Sequence, residues 1–143
     1  SVKVAGREFI MVDDYGHHPT EVKTVIETAR RTWPHKRLGM IYQPHRYSRT
    51  RDLFQEFTSV LSLVDHLMLL DVYGAGEEPI SGVNSKELAS SIEEDTKLCP
   101  LVYSGLDEAM LHLVDFIKDL DVLLVQGAGN VSGISNKLKK SNV

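Results

Sequence analysis

Apolar and polar positions along the chain follow two alternating periods, which predict strands and helices in turn. A short apolar run at residues 9–12 precedes residues 20–33, where Val22, Ile26 and Ala29 recur at helical spacing. This order is typical of a strand that leads into an amphipathic helix. The unit then repeats, with strands expected at 37–42, 66–72, 98–102 and 122–125 and helices expected at 53–64, 85–92, 106–117 and the end of the chain.

Strands that alternate with helices indicate an α/β fold of the Rossmann-like type. We expect three layers, with a mostly parallel sheet, helices on both of its faces and right-handed connections. Residues 3–5 and a turn at Gly6 and Arg7 predict a hairpin with the first strand, which gives the sheet an antiparallel edge. With 143 residues, 42% of them apolar, the chain fits one domain spanning residues 1–143.

The charge balance narrows the possible partners. Lys and Arg number 16 against 20 Asp and Glu, so the chain lacks the basic surplus of a nucleic-acid-binding protein.

The sequence contains neither a membrane-length apolar stretch nor a signal-peptide pattern, so we expect a cytoplasmic protein with no membrane partner. Cys99 falls in an apolar run and is expected to be a buried thiol. A start without methionine suggests a piece of a longer protein.

Two polar segments, each directly after a predicted strand, concentrate reactive side chains. The first polar segment is residues 13–21, DDYGHHPTE, and the second polar segment is residues 43–51, QPHRYSRTR. Ligands of open α/β sheets bind beyond the carboxyl ends of the strands. We therefore expect the two polar segments to line one site.

The two aspartates of the first polar segment allow two roles. One of them can cap the following helix, which is an ordinary role for aspartate. Adjacent side chains at a strand end point in opposite directions, so the other faces the crevice and can accept hydrogen bonds from a ribose diol or a cation. We favour Asp14 over Asp13 for the crevice.

Three histidines near these aspartates allow a metal site, because imidazole and carboxylate bind zinc and iron. Adjacent histidines rarely reach one ion, and the chain has no His-x-x-x-His or paired-cysteine pattern. We therefore favour no metal. His17 and His18 can equally form a structured helix entrance, and we assign no certain catalytic residue. The candidate positioning residues are His17 and His45.

Arg46 and Arg49 lie three residues apart, so a helical turn would present both on one side. Arginine forks match carboxylates and phosphates with paired hydrogen bonds, which favours an anion pocket beside His45. For Arg37 and Arg51 we expect only solvated surface.

Residues 127–133, GAGNVSG, are similar to a dinucleotide-binding loop that follows a strand and opens a helix. The third glycine comes one position late, and the acidic residue expected about twenty residues further on lies beyond the given sequence. An anion-binding turn and a purely structural turn both remain open. The sequence contains no Gly-x-x-x-x-Gly-Lys-Ser/Thr phosphate loop.

Four motifs of the chain are VDDYGHHPTEV at 12–22, QPHRYSRT at 43–50, AGE at 75–77 and GAGN at 127–130. Together they resemble the carboxyl-terminal domain of the Mur ligase family, in particular of its UDP-N-acetylmuramate:L-alanine ligases. Two departures from the family pattern are Ser48, where threonine is usual, and Gly74, where proline is usual. Both bear on the loop at 73–83 rather than on a proposed contact.

The resemblance implies the third domain of a three-domain, ATP-dependent ligase of peptidoglycan precursor synthesis. In this family the muramate carboxylate attacks the γ-phosphate of ATP, and the amine of L-alanine then attacks the acyl phosphate. The cofactors implied are ATP and Mg²⁺. The phosphate loop, the magnesium ligands and the UDP-N-acetylmuramate site belong to the other domains. The chain alone is therefore expected to be inactive.

By resemblance, Asp14 accepts hydrogen bonds from the ATP ribose, and Arg46 and Arg49 bind the α-carboxylate of L-alanine. Two alternatives stay open. One is the third domain of the ligase that attaches a recycled tripeptide to UDP-N-acetylmuramate, and the other is a free-standing nucleotide- or anion-binding module. The residues that would shape the pocket around the amine and methyl of L-alanine are Tyr15, His17 and His45.

Overall fold

The computed structural model describes residues 2–4, 6–129 and 131–140, and within them strands and helices alternate. The strands are Val2–Val4 (β1), Arg7–Asp14 (β2), Leu38–Tyr42 (β3), His66–Leu70 (β4), Leu101–Tyr103 (β5) and Val122–Gln126 (β6). The helices are Pro19–Thr32 (α1), Tyr47–Asp52 (α2), Phe54–Leu61 (α3), Ser85–Asp95 (α4), Leu106–Ile117 (α5) and Ser132–Lys140 (α6).

The six strands form one sheet in the order β1-β2-β6-β3-β4-β5. β1 pairs antiparallel with β2, with Val2 opposite Phe9, which confirms the predicted hairpin edge. The remaining neighbours in the described sheet pair in parallel. β6 lies between β2 and β3, and all of its residues are buried, as expected for an apolar run in the middle of a parallel sheet.

Helices cover both faces of the sheet, because successive strand residues point to opposite sides. Met40 and Tyr42 face the layer of α1, α3 and α4, whereas Ile41 faces the layer of α5 and α6. The predicted three-layer α/β fold is therefore confirmed. The buried helix residues of the first layer include Val22, Ile26, Phe57, Leu61, Leu88 and Ile92, and those of the second include Leu113, Ile117, Ile134 and Leu138.

The helix predicted at 53–64 is found as α3, at Phe54–Leu61, and a second short helix that was not predicted, α2, precedes it. Leu53, whose φ is −115°, separates the two helices. The six residues of α2 carry no apolar periodicity, so the pattern of apolar residues could not reveal this helix.

The prediction of a buried Cys99 is wrong, because the thiol is exposed. Pairing of β5 with β4 begins only at Leu101, opposite Met68, so Cys99 precedes the strand. β5 is also at the edge of the sheet, where the chain enters from the surface. The strand at Leu101–Tyr103 is therefore shorter than the apolar run at 98–102 that predicted it, and it begins later.

Candidate functional site

The two polar segments lie together at the carboxyl ends of β2, β6 and β3, as expected. Gln126, the last residue of β6, joins them. The side-chain Nε2 of Gln126 donates to Asp14 Oδ1 at 3.2 Å and to Gly16 O at 2.8 Å. The backbone carbonyl oxygen of Gln126 accepts from Gln43 N at 3.2 Å. A fully buried side chain thus fixes the first polar segment against the centre of the sheet.

His18, rather than an aspartate, caps α1. Its Nδ1 accepts from Thr20 N at 3.2 Å, and Glu21 Oε1 accepts from His18 N at 3.1 Å and from His17 N at 3.3 Å. These bonds form a capping box. Donation by the backbone of His18, and also of His17, lowers the pKa of Glu21. The interpretation of these histidines as a helix entrance is confirmed for His18.

Asp14 has one oxygen engaged and one available. Oδ1 accepts from Gly16 N at 2.6 Å and from Gln126. No residue that the structure describes donates to Oδ2, and the side chain lines a cleft of about 310 Å³ beside α1. Asp13 is exposed. Asp14 is therefore oriented by the protein while it keeps an acceptor for a ligand.

The second polar segment is anchored to the loop that follows β4. His45 forms a parallel bridge with Tyr73, and their rings stack with centroids 5.6 Å apart. Arg46 N donates to Tyr73 O at 2.7 Å. Arg49 Nη1 donates to His45 O at 3.2 Å and to His45 Nδ1 at 3.1 Å. Arg46 and Arg49 therefore flank the first turn of α2, with Arg46 exposed and Arg49 half-buried.

His17 and His45 bring the two polar segments into contact, with ring centroids 5.5 Å apart. Tyr42, buried beneath them, donates from its hydroxyl to His17 O at 3.0 Å. Burial raises the pKa of Tyr42, so it remains a neutral donor. The ring of Tyr15 is 69% exposed at the rim of this cluster.

The hydrogen bonds of the histidines assign their protons. A guanidinium only donates, so His45 Nδ1 accepts from Arg49 and the neutral ring carries its proton on Nε2. A carbonyl only accepts, so His17 Nδ1 donates to Tyr15 O at 3.2 Å, and in the neutral form of this ring the lone pair is on Nε2. Burial, together with the charge of Arg49, lowers the pKa of His45, which keeps this ring neutral at pH 7.

Glu77 is a site residue whose role the sequence pattern missed. Ser48 donates to it twice, from its backbone N to Oε1 at 3.0 Å and from its hydroxyl to Oε2 at 2.6 Å. The bonds from Ser48 lower the pKa of Glu77. From the sequence, Glu77 was included only as part of the AGE motif at 75–77 and was assigned no contact. Ser48, where the family usually has threonine, keeps the hydroxyl that this contact uses.

The glycine-rich turn after β6 packs tightly on Gln43. A Cβ at Gly127, where φ is 141°, would lie 2.9 Å from Gln43 O, and one at Gly129 would lie 2.5 Å from Gln43 Oε1. The same Oε1 accepts from Val131 N at 3.1 Å. These contacts favour a structural turn over an anion-binding one. Asn130 lies outside the described residues.

Other predicted features lie away from this cluster. Arg37 pairs with Asp121 at 3.7 Å and Arg51 pairs with Asp52 at 2.9 Å, both at the surface. Among residues 2–4, 6–129 and 131–140, no three His, Cys, Asp or Glu side chains converge on a point that could hold a metal ion. In the same ranges, no helix has the length and apolar character needed to cross a membrane.

The fold and the site define an α/β domain that presents carboxylate, imidazole and guanidinium groups at the carboxyl edge of a parallel sheet. A family model described as "Mur ligase, glutamate ligase domain" matches residues 2–129. The chain belongs to this family.

Solved structures from ligases share the fold. One is UDP-N-acetylmuramate-alanine ligase MurC from Thermotoga maritima, with a TM-score of 0.69 and 22% identity over 98% of this chain. Another is a murein peptide ligase from Psychrobacter arcticus, with a TM-score of 0.63 and 22% identity over 99% of this chain. The chain spans 28% of the first structure and 30% of the second.

A third similar structure is a domain assigned to a UDP-N-acetylmuramate:L-alanyl-gamma-D-glutamyl-diaminopimelate ligase of Haemophilus ducreyi. It has a TM-score of 0.65 and 19% identity, and the match covers 100% of both chains. At these identities the similarity establishes the fold and leaves the substrate to be argued from the site.

Proposed function

We propose that this chain is the third domain of an ATP-dependent, cytoplasmic ligase that joins L-alanine to UDP-N-acetylmuramate. One observation carries the proposal. The Arg49–His45 pair lies against His17, on the same sheet edge as the open carboxylate oxygen of Asp14. An amino-acid site and a nucleotide site would then be neighbours, as a ligase that couples ATP to amide formation requires.

The nucleotide half of the site centres on Asp14. Its Oδ1 is held by Gly16 and Gln126, so Oδ2 can accept from a ribose hydroxyl without rearrangement of the loop. Hydrogen bonds to a charged acceptor are worth about 1.5–3 kcal/mol each. When bound, ATP supplies the phosphoryl group that activates the muramate carboxylate. The Mg²⁺ ligands are expected in other domains of the ligase.

The amino-acid half centres on Arg46 and Arg49. L-Alanine offers a carboxylate, an ammonium group and one methyl, and burial of a methyl is worth only about 0.8 kcal/mol. Charge-assisted hydrogen bonds from guanidinium groups contribute about 1.5–3 kcal/mol each, so the arginines should dominate affinity. Because His45 carries its proton on Nε2, it can add a further donor to the same carboxylate.

The amine must lose a proton before it attacks the acyl phosphate. In their neutral forms, His18 and His45 carry the proton on Nε2, because Nδ1 of each ring accepts a hydrogen bond. Neutral His17 carries the proton on Nδ1 instead, so its Nε2 has the lone pair. His17 Nε2 is therefore the position at which the incoming ammonium can deposit a proton. Tyr15, at the rim, would cover the substrate as the other domains close.

A second candidate is the ligase that attaches a recycled tripeptide to UDP-N-acetylmuramate. The murein peptide ligase from Psychrobacter arcticus matches as much of this chain, at the same 22% identity, as the alanine ligase does. The exposed Tyr15 rim also leaves room for a longer substrate. A free-standing binding module is the third possibility, and it predicts that the natural protein has no phosphate loop.

Substrate competition in the full-length protein tests the proposal. Purified protein with ATP, Mg²⁺ and UDP-N-acetylmuramate should release phosphate when L-alanine is added and not when the tripeptide is added. Preference for the tripeptide would establish the second candidate. The isolated 143-residue chain should give no turnover with either substrate, and turnover by it would contradict the assignment of phosphate and magnesium binding to other domains.

A further inference from the structure

The start of α2 depends on a carboxylate from a distant loop. The residue before the helix, Arg46, contributes no side-chain cap, and its φ of 73° lies in the left-handed region that few non-glycine residues adopt. The first backbone N–H groups of any helix lack partners within it. Glu77 supplies one, because its two oxygens accept from the backbone and the hydroxyl of Ser48.

A tight turn delivers Glu77 to this position. Its backbone N donates to Gly74 O at 3.0 Å, and the two central residues of the turn have positive φ values of 52° and 89°. Just before the turn, Tyr73 N donates to Pro44 O at 2.8 Å and Tyr73 O accepts from Arg46 N at 2.7 Å. The loop therefore holds the chain on both sides of Arg46.

Arg46 directly precedes the first turn of α2, and Arg49 lies within that turn. Arg49 reaches back to His45 through two hydrogen bonds, so a shift of the helix start would move Arg46, Arg49 and His45 together. Both oxygens of Glu77 are engaged by Ser48, and a carboxylate would repel the carboxylate of an amino acid. Glu77 can therefore act on substrate binding through the helix, and its charge acts in addition on Arg46 and His45.

We propose that Glu77 is a positioning residue of the amino-acid site. By fixing the first turn of α2, it sets the direction in which Arg46 and Arg49 present their guanidinium groups to the substrate carboxylate. This inference rests on the proposed function of those two arginines.

The test is steady-state kinetics of the full-length ligase with Glu77→Ala. The KM for the amine substrate that the enzyme accepts should rise about tenfold, the ratio that corresponds to 1.4 kcal/mol, while the KM for ATP should change less than about twofold. Glu77→Gln, which keeps one acceptor, should lie between Glu77→Ala and the parent. Ser48→Thr keeps both donors and should behave as the parent. Glu78→Ala, at an exposed neighbour, is the matched control and should leave both KM values unchanged.

A lower melting temperature or kcat for Glu77→Ala, with an unchanged KM for the amine substrate, would mean a merely structural role and would overturn the proposal. If Glu77→Ala does not fold, Ser48→Ala decides, since it removes only the hydroxyl bond. A KM rise of about threefold supports the proposal, and no rise overturns it. Arg49→Ala separates the two levels. If Arg49→Ala leaves the KM for the amine substrate unchanged, the proposed binding of the carboxylate by the arginines is itself wrong. If Arg49→Ala raises this KM and Glu77→Ala does not, carboxylate binding by the arginines stands and only the role of Glu77 is wrong.

Discussion

The two polar segments occupy the same edge of the sheet but are held in opposite ways. The first polar segment is fixed by near neighbours in sequence, since Glu21 bonds to His17 and His18, and by the buried residues Tyr42 and Gln126 beneath it. The second polar segment is fixed largely from outside, by the loop at 73–77 that lies 29 positions further along the chain.

One half of the site is therefore anchored to the sheet and the other to a surface loop. The proposed nucleotide half is built on the sheet itself, so its geometry follows from the folding of the core. The proposed amino-acid half depends on a surface loop, and surface loops tolerate change more readily than the elements they connect. A change in the second half could therefore be accommodated without disturbing the first.

Gln126→Leu should have the largest effect on the half that is anchored to the sheet. It leaves the buried carbonyl of Gly16 without a donor and removes a bond to Asp14, so the free energy of unfolding should fall by about 3 kcal/mol. Urea denaturation of the 143-residue chain measures this fall. Gln55→Leu, the same change on an exposed face of α3, is the control and should shift the midpoint little. Equal midpoints for the two variants would mean that Gln126 does not anchor the segment.

Tyr42→Phe should have a smaller effect of about 1 kcal/mol on the free energy of unfolding, because it removes only the hydrogen bond to His17 O. The ring keeps its contact with Phe57, whose centroid is 5.7 Å away. Tyr15→Phe, at a ring that is 69% exposed, should leave the urea midpoint unchanged. A midpoint for Tyr42→Phe as high as that of Tyr15→Phe would contradict the anchoring of the first polar segment from below.

The smallest effect should be seen in the pH dependence of Glu21. Its pKa in the folded chain lies below the ordinary value of 4.5, so the unfolded state binds more protons just below that pH. Its contribution to stability is therefore complete above about pH 4.5 and is lost as pH falls through the folded pKa. Glu21→Gln should give a shallower loss of the urea midpoint between pH 5 and 3. Glu27→Gln, further along α1, should keep the parental slope; identical slopes for both variants would exclude the capping box as the cause.

Much of the fold follows from the periodicity of apolar residues alone. The period of 3.6 located α5 at its observed bounds, and the unbroken apolar run at 122–125 marked the buried centre of the sheet. Periodicity had nothing to say about α2, whose six residues are all polar apart from one tyrosine ring. It also misplaced Cys99, because an apolar run does not tell where pairing with the next strand begins.

The candidate site likewise contains some residues that the sequence could identify and others that it could not. Asp14, His17 and the arginines could be singled out because polar residues after a buried strand have no role in packing. The tautomers of the histidines and the role of Glu77 could not, since each depends on a partner that only the folded chain brings near. The motifs identified the groups that we propose to contact a ligand and omitted those that orient them in the structure.

A crossed comparison of Michaelis constants in the full-length ligase tests the central claim most directly. Asp14→Asn keeps the Oδ1 acceptor for Gly16 and replaces the open oxygen with a donor, so it should raise the KM for ATP about tenfold and leave the KM for the amine substrate unchanged. Arg49→Ala should do the reverse. A rise of both constants by the same factor in either variant would contradict a site divided into a nucleotide half and an amino-acid half.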